Sequence, residues 1–229
     1  MSTDRKPATP HTRARNGAAT VPLDSADFDR ATRGFMADIA DRRVRDDAGR
    51  VVMDANNYDF LDRSNPAPDS VHPSLWRHAQ LNHHRGLYEV IPGVWQVRGY
   101  DISNITFIRG TKGWLVIDPL TTAATARAGY ELVSEHVEKL PVTAVIYTHS
   151  HTDHFGGVLG VTSQEAVDRG ECVVIAPEHF LHEVVGENVI AGFAMGRRAL
   201  YQFGRAYQQS GAAWGQLPPG YSTQTLLPE

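Results

Sequence analysis

The feature of the sequence that most restricts the fold is the stretch THSHTDHFGG, residues 148–157, which directly follows the apolar run Val142 to Tyr147. Three imidazoles and one carboxylate fall within six residues, from His149 to His154. A continuous apolar run predicts a strand that is buried on both faces of a sheet. The polar stretch therefore marks the end of a buried strand, and the fold has to place a cluster of histidines at that end of the strand.

The side chains of this stretch are of the types that bind zinc and similar divalent cations, because imidazole nitrogen and carboxylate oxygen are suitable donors. Residues two apart at a strand end point the same way, so His149 and His151 are predicted to hold one ion. After the turn, Asp153 and His154 are predicted to hold a second ion a few ångströms away. The two glycines after Phe155 allow a sharp turn into the next helix. A solvated polar loop is the alternative, but solvation alone rarely concentrates such side chains.

From Leu87 onward the sequence is typical of a mixed α/β domain. Short runs rich in β-branched and aromatic residues, separated by turn residues, predict an antiparallel meander that ends at Asp118. An alanine-rich helix then precedes the apolar run described above, and a further buried strand is predicted from Cys172 to Ala176. No GxGxxG or P-loop pattern occurs in the sequence. The expected fold class is therefore an α/β sandwich of sheet and helices.

The chain divides by composition into four segments. Residues 1–25 are rich in Thr, Pro, Ala and Arg and predict a disordered arm. Residues 26–86 predict an N-terminal extension with helices. Residues 87–204 predict the α/β domain, and residues 205–229, rich in Gly, Gln and Pro, predict an irregular tail.

Charge and cysteine content exclude several function classes. The formal net charge is −4, so nothing indicates binding to nucleic acid. The single cysteine, Cys172, cannot form an internal disulfide. No run approaches the ~18 apolar residues of a membrane span, and the N-terminus lacks the apolar block of ~7–15 residues of a secretory signal. We expect a cytoplasmic protein, or a periplasmic or secreted one if a longer N-terminus precedes Met1.

The pattern HxHxDH after an apolar strand resembles the metallo-β-lactamase superfamily. The resemblance implies an αββα sandwich, of which this chain supplies about the first half. It also implies that His149 and His151 bind one zinc ion and that Asp153 and His154 bind a second, with Asp153 as the catalytic residue. Asp118, at the end of GWLVID, would support the metal loop through hydrogen bonds, and a turn or helix-cap role is its alternative.

Three further segments are similar to the alkylsulfatase branch of this superfamily, a resemblance that covers about residues 75–204. The segments are RGYDISN (98–104), IDPLT (117–121) and ENVIAG with the following MGRRALYQFG (187–204). This branch implies a dinuclear zinc enzyme that uses metal-activated water to cleave alkyl sulfate esters, such as dodecyl sulfate, into alcohol and sulfate.

The branch also places its remaining metal ligands, two acidic residues and one histidine, further along the chain than residue 229. We therefore expect a truncated relative that is weakly active or inactive alone. Each metal would have two protein ligands, whereas a catalytic zinc usually keeps about three plus a water.

Several polar residues elsewhere are candidates for replacing the missing ligands or for binding sulfate, although a solvated surface explains each better. They are His179 and His182 with Glu178, Glu183 and Glu187, the pair His83 and His84, and the pair Arg197 and Arg198. Tyr100 and Asn104, near strand ends, are candidates for lining a pocket. No residue is assigned to substrate binding.

The partner expected is a small alkyl sulfate. A homodimer and a separate C-terminal chain that completes the sheet both stay open, because half a sandwich leaves apolar surface and open strand edges. Two other functions also stay open. One is another hydrolase of the same fold, such as a thioesterase, lactonase or lactamase, and the other is a non-catalytic remnant that needs a complementing chain.

Overall fold

The structure, a computed structural model, describes residues 8–19 and 26–203, which fall into two compact units. The first unit contains the described residues up to 33 and residues 57–84, and the second contains residues 34–56 and 85–203. The helices are α1 (Pro10–Gly17), α2 (Ala26–Thr32), α3 (Pro73–Asn82), α4 (Ala123–His136), α5 (Gln164–Asp168), α6 (Phe180–Val185) and α7 (Gly192–Phe203). The strands are β1 (Phe35–Ala37), β2 (Arg43–Arg45), β3 (Val51–Asp54), β4 (Gly86–Ile91), β5 (Val94–Arg98), β6 (Ile105–Arg109), β7 (Trp114–Ile117), β8 (Val142–Ile146) and β9 (Val173–Ile175). Short 3₁₀ helices span Ala55–Leu61, Thr152–His154 and Val158–Gly160, and a π-helix spans Gly186–Ile190.

In the first unit, α1 lies within the segment that the sequence predicts to be a disordered arm. The Thr9 hydroxyl caps this helix by accepting a hydrogen bond from the Thr12 amide at 3.1 Å. The Asn16 side chain donates to the Asp69 carbonyl at 2.8 Å and so ties α1 to a distant segment of the same unit. The rest of the predicted arm, residues 1–7 and 20–25, lies outside the described residues, as do residues 204–229, which include the predicted tail.

Residues 34–56, which lie within the predicted N-terminal extension, belong to the second unit. The reason is β1, which pairs antiparallel with β4. Gly34 precedes β1 with a φ of 79°, and its carbonyl accepts a hydrogen bond from the Glu89 amide at 2.8 Å. A Cβ at Gly34 would lie 2.1 Å from the Glu89 carbonyl oxygen, so this approach requires glycine. A three-residue strand is too short to show an alternating pattern in the sequence.

A seven-stranded sheet in the order β1-β4-β5-β6-β7-β8-β9 dominates the described part of the second unit. β4 to β7 are antiparallel neighbours, and β7, β8 and β9 are parallel. One row across the sheet carries buried side chains that meet by register, namely Trp95, Phe107, Val116, Val145 and Val174. The sheet and α4 confirm the α/β class.

The helix α4 lines the core of the second unit. Its buried residues include Ala126, Leu132 and Val133, and Thr122 caps it by accepting a hydrogen bond from the Thr125 amide at 3.1 Å. Trp114 is fully buried in the same core, edge-on to Trp95 and to Phe107. Burial of apolar surface of this kind is the main favourable contribution to folding.

On the opposite face of the same sheet, the adjacent row of paired residues consists of Thr106, Ile117, Ile146 and Ile175. The sequence predicts a buried strand from Cys172 to Ala176, and the structure buries Cys172 and Val174 but not the two residues that alternate with them. Val173 is 46% exposed and Ile175 is 49% exposed. β9 is the last strand of the sheet within the described residues, so β8 is the neighbour that pairs with it there.

Among the described residues, no helix combines the length and apolar character needed to cross a membrane.

Candidate metal centre

The histidine-rich loop, residues 148–154, leaves the end of β8 and closes with the 3₁₀ helix Thr152–His154. The segment after the parallel neighbour β7 reaches the same sheet edge, because parallel strands end on the same side. Two residues of that segment have positive φ, 55° at Asp118 and 61° at Leu120. Such backbone conformations at residues other than glycine cost about 1–3 kcal/mol each and cluster at functional sites.

The four residues that the sequence predicts as metal ligands lie together in the structure. The ring centroid of His149 is 4.6 Å from that of His151 and 4.0 Å from that of His154. The Nε2 atom of His154 lies 3.2 Å from Oδ2 of Asp153. Three imidazoles and one carboxylate therefore share one patch at the sheet edge, with His151 the most exposed of them.

Two of the imidazoles have one ring nitrogen held by a group outside the cluster. His149 Nδ1 lies 3.0 Å from the hydroxyl of Thr148, and His154 Nδ1 lies 2.8 Å from Oδ2 of Asp118. Metal-binding histidines are commonly held in this way, with the other nitrogen facing the ion. These contacts use Nδ1 of each ring, and in His154 the other nitrogen, Nε2, lies against Oδ2 of Asp153.

Asp118 connects the two ends of the loop. Its carboxylate accepts hydrogen bonds from the backbone amide of Thr148 at 2.9 Å and from the Thr148 hydroxyl at 2.7 Å, besides its contact with His154. The helix-cap alternative for Asp118 does not describe the structure, since Thr122 caps α4. The Asp118 side chain is therefore directed at the loop.

The electrostatics of the cluster follow from these contacts. Burial raises the pKa of Asp118 and of Asp153, but the hydrogen bond from His154, the further hydrogen bonds and the imidazole charge together outweigh burial and hold both below their usual value. Burial lowers the pKa of His154, while the two carboxylates raise it more strongly, to about 9. Burial and the neighbouring imidazoles lower the pKa of His149. Two ionised carboxylates thus lie against the ring of His154, and they favour positive charge at this position.

A second support for the loop comes from the segment RGYDISN. The buried carboxylate of Asp101 accepts hydrogen bonds from the backbone amide and the hydroxyl of Thr121, at 3.0 and 2.7 Å, and from the Thr125 hydroxyl at 2.9 Å. Two residues further on, the Ser103 hydroxyl donates a hydrogen bond to the backbone carbonyl of Asp153. The sequence shows this segment as part of a family resemblance, but a contact over 50 residues leaves no local signal.

The two glycines after the loop have a role that differs from the one the sequence predicts. Gly157 has an ordinary φ of −90°, so the requirement is not an unusual backbone conformation. A Cβ at Gly157 would lie 2.1 Å from the Pro119 carbonyl oxygen, and a Cβ at Gly156 would lie 2.4 Å from that of Thr121. Absence of a side chain lets this backbone pack directly against the segment that follows β7.

The donor set fits zinc by its chemistry, because neutral imidazole nitrogens and ionised carboxylate oxygens are ligands of this ion. Within residues 8–19 and 26–203, however, no group of three or more His, Cys, Asp or Glu side chains is arranged so that it could hold a metal ion. His154 and Asp153 instead pair with each other. The cluster therefore contains the side-chain types that bind zinc, but the described side chains are not arranged around an ion.

Among the other polar candidates, Glu187 contacts the cluster, with Oε1 3.1 Å from Nε2 of His151, while those described next make different contacts. Tyr100 is fully buried, and its hydroxyl donates to Asp38 at 3.0 Å, so Tyr100 does not line an open pocket. Burial raises the pKa of this hydroxyl. Asn104 is exposed. His84 packs edge-on against Phe28 within the first unit. The remaining exposed candidates are His179 beside Glu178, His182 beside Glu183, and the pair Arg197 and Arg198.

Known proteins that are similar to this chain agree with one another in their described activity. The family described as the Metallo-beta-lactamase superfamily matches residues 98–208. A linear primary-alkylsulfatase of Pseudomonas sp. is 44% identical over 223 residues, which is 96% of this chain and 33% of that protein. The alkyl/aryl-sulfatase BDS1 of Saccharomyces cerevisiae is 46% identical over 181 residues, which is 79% of this chain and 28% of that protein.

A solved structure agrees with these relatives. The stereoselective inverting sec-alkylsulfatase Pisa1 from Pseudomonas sp. superposes with a TM-score of 0.80 at 44% identity, over 88% of this chain and 32% of that chain. The chain thus spans about a third of the length of the relatives it matches. The expected resemblance, and the expected metallo-β-lactamase-like sheet with helices, are confirmed.

Proposed function

We propose that this chain, whose residues 98–208 match the Metallo-beta-lactamase superfamily, carries the zinc-binding part of a hydrolase that cleaves alkyl sulfate esters. The observation that carries the proposal is the meeting of His149, His151, Asp153 and His154 at one sheet edge. The named relatives at 44–46% identity are all sulfatases, which favours this substrate class over thioesters, lactones or lactams.

The ligands proposed are His149 and His151 for one zinc ion and Asp153 and His154 for a second. When bound, zinc would supply an activated water and would neutralise charge that develops on the sulfate oxygens. Two residues of the chain orient these ligands. Asp118 contacts Nδ1 of His154, and Thr148 contacts Nδ1 of His149.

Asp153 is the residue we assign to catalysis. Burial raises the pKa of its carboxyl, but the hydrogen bond and charge of His154 together with weaker contributions lower it below its usual value, so this carboxylate is ionised at neutral pH. An ionised carboxylate can accept a proton from an attacking water. The Asp118 carboxylate is less suited to this, because Thr148 and His154 already occupy its oxygens.

We further propose that the chain alone turns over alkyl sulfate slowly or not at all. The described residues offer two side chains to each ion, whereas catalytic zinc usually has about three protein ligands and one water. The half-exposed apolar residues Val173 and Ile175 on β9 also favour a covering partner, either a second copy or a separate chain that supplies the other half of the sandwich.

Metal content and sulfate release test the proposal together. We expect the wild-type chain to retain zinc after gel filtration, and we expect a variant with alanine at all four ligand positions to lose it by elemental analysis. Equal zinc content in the two proteins would reject the metal centre. With dodecyl sulfate we expect little or no sulfate release, and turnover on the enzyme scale of ~1–1000 per second would reject the proposed incompleteness of the site.

A further inference from the structure

The π-helical segment Gly186–Ile190 contacts the metal loop through two consecutive residues. Oε1 of Glu187 lies 3.1 Å from Nε2 of His151. The next residue, Asn188, accepts a hydrogen bond at 3.1 Å from the hydroxyl of Thr152. Two consecutive residues of the π-helical segment thus contact two consecutive residues of the loop. The two contacts together fix the position of one segment relative to the other.

The segment is itself held in place. The Asn188 side-chain amide donates a hydrogen bond to the Val184 carbonyl at 3.0 Å, so its two polar ends link the segment to α6 and to the loop. π-helical turns are rare and are found frequently at functional sites. The Glu187 side chain is 21% exposed, less than half the 55% of the His151 side chain that it meets. Glu187 is therefore largely buried, whereas the imidazole that it meets is more exposed.

We propose that Glu187 is the positioning residue for His151. The carboxylate accepts a hydrogen bond from Nε2–H of His151, which fixes the tautomer and leaves Nδ1 as the nitrogen that faces a cation. A histidine that binds metal through one nitrogen is oriented, and made a stronger ligand, by a carboxylate on the other nitrogen. This inference rests on the proposed function, since it assigns a role to Glu187 at the same zinc site.

The arrangement completes a pattern across the cluster. His149 is held by Thr148 and His154 by Asp118, in both cases through Nδ1. His151 is held through its other nitrogen, by a residue 36 positions further along the chain. The segment ENVIAG, which carries part of the alkylsulfatase resemblance, thereby acquires a physical role, since its first two residues hold the metal loop.

Zinc affinity of the full 229-residue chain tests this role. We expect Glu187→Ala to weaken zinc binding by about 10–100-fold in a titration against a competing chelator, the usual effect of removing such a partner. Glu187→Gln keeps an oxygen that accepts the hydrogen bond, so most of the affinity should return. Glu183→Ala is the matched control, because Glu183 is an exposed glutamate four residues earlier, and its zinc affinity should equal that of wild type.

A measurement on the wild-type chain keeps the test independent of how the variants fold. In ¹⁵N spectra of the histidine rings, zinc should shift the Nδ1 signal of His151, while Nε2 keeps its proton. Loss of the Nε2 proton of His151 on addition of zinc would overturn the proposal. So would a Glu187→Ala variant with wild-type zinc affinity.

The test also separates this inference from the function it rests on. If Glu187→Gln lowers the number of zinc ions bound as much as Glu187→Ala does, Glu187 is itself a ligand and the positioning role is wrong. If Glu187→Ala has no effect while the four-alanine variant loses zinc, the proposed metal centre stands and this inference alone fails. If the four-alanine variant keeps its zinc, both fail.

Discussion

Oδ2 of Asp118 lies 2.8 Å from Nδ1 of His154, across 36 residues of chain. The same carboxylate accepts two hydrogen bonds from Thr148. β7 and β8 are parallel neighbours, so the residues that follow the two strands meet at one sheet edge. One side chain therefore fixes both the beginning and the end of the histidine-rich loop, and the loop's shape depends on it.

Replacement of Asp118 tests this dependence. We expect Asp118→Ala to weaken zinc binding by about 10–100-fold, because His154 loses the group that orients its ring. Asp118→Asn keeps an acceptor for the Thr148 amide and should lie between the alanine variant and wild type. The measurement is a chelator-competition titration with zinc. Asp168→Ala, at the end of α5, is the control, and equal affinities for Asp118→Ala and Asp168→Ala would contradict the role given to Asp118.

Ser103 is expected to contribute to both stability and metal binding. Ser103→Ala removes the hydrogen bond to the Asp153 carbonyl, and an unsatisfied buried polar group costs about 1–3 kcal/mol. We expect the free energy of unfolding in urea to fall by about that amount, with weaker zinc binding because Asp153 is released. Thr111→Ala, in the exposed turn before β7, removes a hydroxyl without such a contact and serves as the control. Identical stabilities of the two variants would argue against the contact.

Asp101 gives the chain a specific pH dependence. Burial raises the pKa of its carboxyl above the usual 3.8, against the hydrogen bonds from Thr121, Ile102 and Thr125, which lower it. Just above that value the folded protein keeps a proton that the unfolded chain has lost, so the contribution of Asp101 to the free energy of unfolding falls as pH rises. Above the raised pKa this contribution becomes constant.

The variant Asp101→Asn isolates this effect, since an amide does not titrate. We expect the unfolding free energy of Asp101→Asn relative to wild type to increase as pH rises from below 3.8, as measured by urea unfolding at a series of pH values. Carboxylates with lowered pKa, such as Asp54, act in both proteins and cancel in the difference. A difference that is constant with pH, or that falls, would show that the buried carboxyl is not the cause.

Local chemistry in the sequence predicts the parts of the site that depend on neighbouring residues. The run from Val142 becomes β8, and a threonine at position 122 caps α4 as its side-chain type suggests. The four donors from His149 to His154 come together because they follow one strand end within six residues. Spacing alone is enough for such predictions, since no distant segment has to be placed.

Contacts between distant segments are the part that the sequence does not predict. Glu187 belongs to a group of acidic residues that a solvated helix explains, and its contact with His151 depends on where α6 ends. Tyr100 looks like a pocket residue by its position near a strand end, yet tertiary packing buries it completely. β1 joins the sheet through Gly34, and neither its length nor its composition indicates this.

Gly157 is expected to be intolerant of any side chain. In Gly157→Ala the new Cβ would lie 2.1 Å from the Pro119 carbonyl oxygen and 2.6 Å from that of Thr122, so the backbone has to move. Overpacking of this kind costs about 1–3 kcal/mol, and we expect at least that loss in the free energy of unfolding. Gly196→Ala, in α7, has nothing within 4 Å of its Cβ and should be neutral or stabilising. Equal effects of the two substitutions would contradict the close backbone approach.

The outer strand β9 is expected to make the chain self-associate. Val173 is 46% exposed and Ile175 is 49% exposed on a strand that lies at the end of the sheet in the described part of the chain. Exposed apolar strands with an open edge are sites of association, and lysine on such a strand prevents it. Light scattering should therefore give a mass above the 25.2 kDa of one chain, and Val173→Lys should reduce that mass.

A lysine elsewhere separates this effect from the general effect of added charge. Thr111→Lys places the same charge in the exposed turn before β7 and should leave the mass unchanged, because that turn carries no exposed apolar strand residues. Reduction of the mass by Val173→Lys but not by Thr111→Lys assigns the association to β9. A wild-type chain that scatters as a monomer over the concentration range tested would contradict the expectation, since the exposed face of β9 would then not bind a second copy.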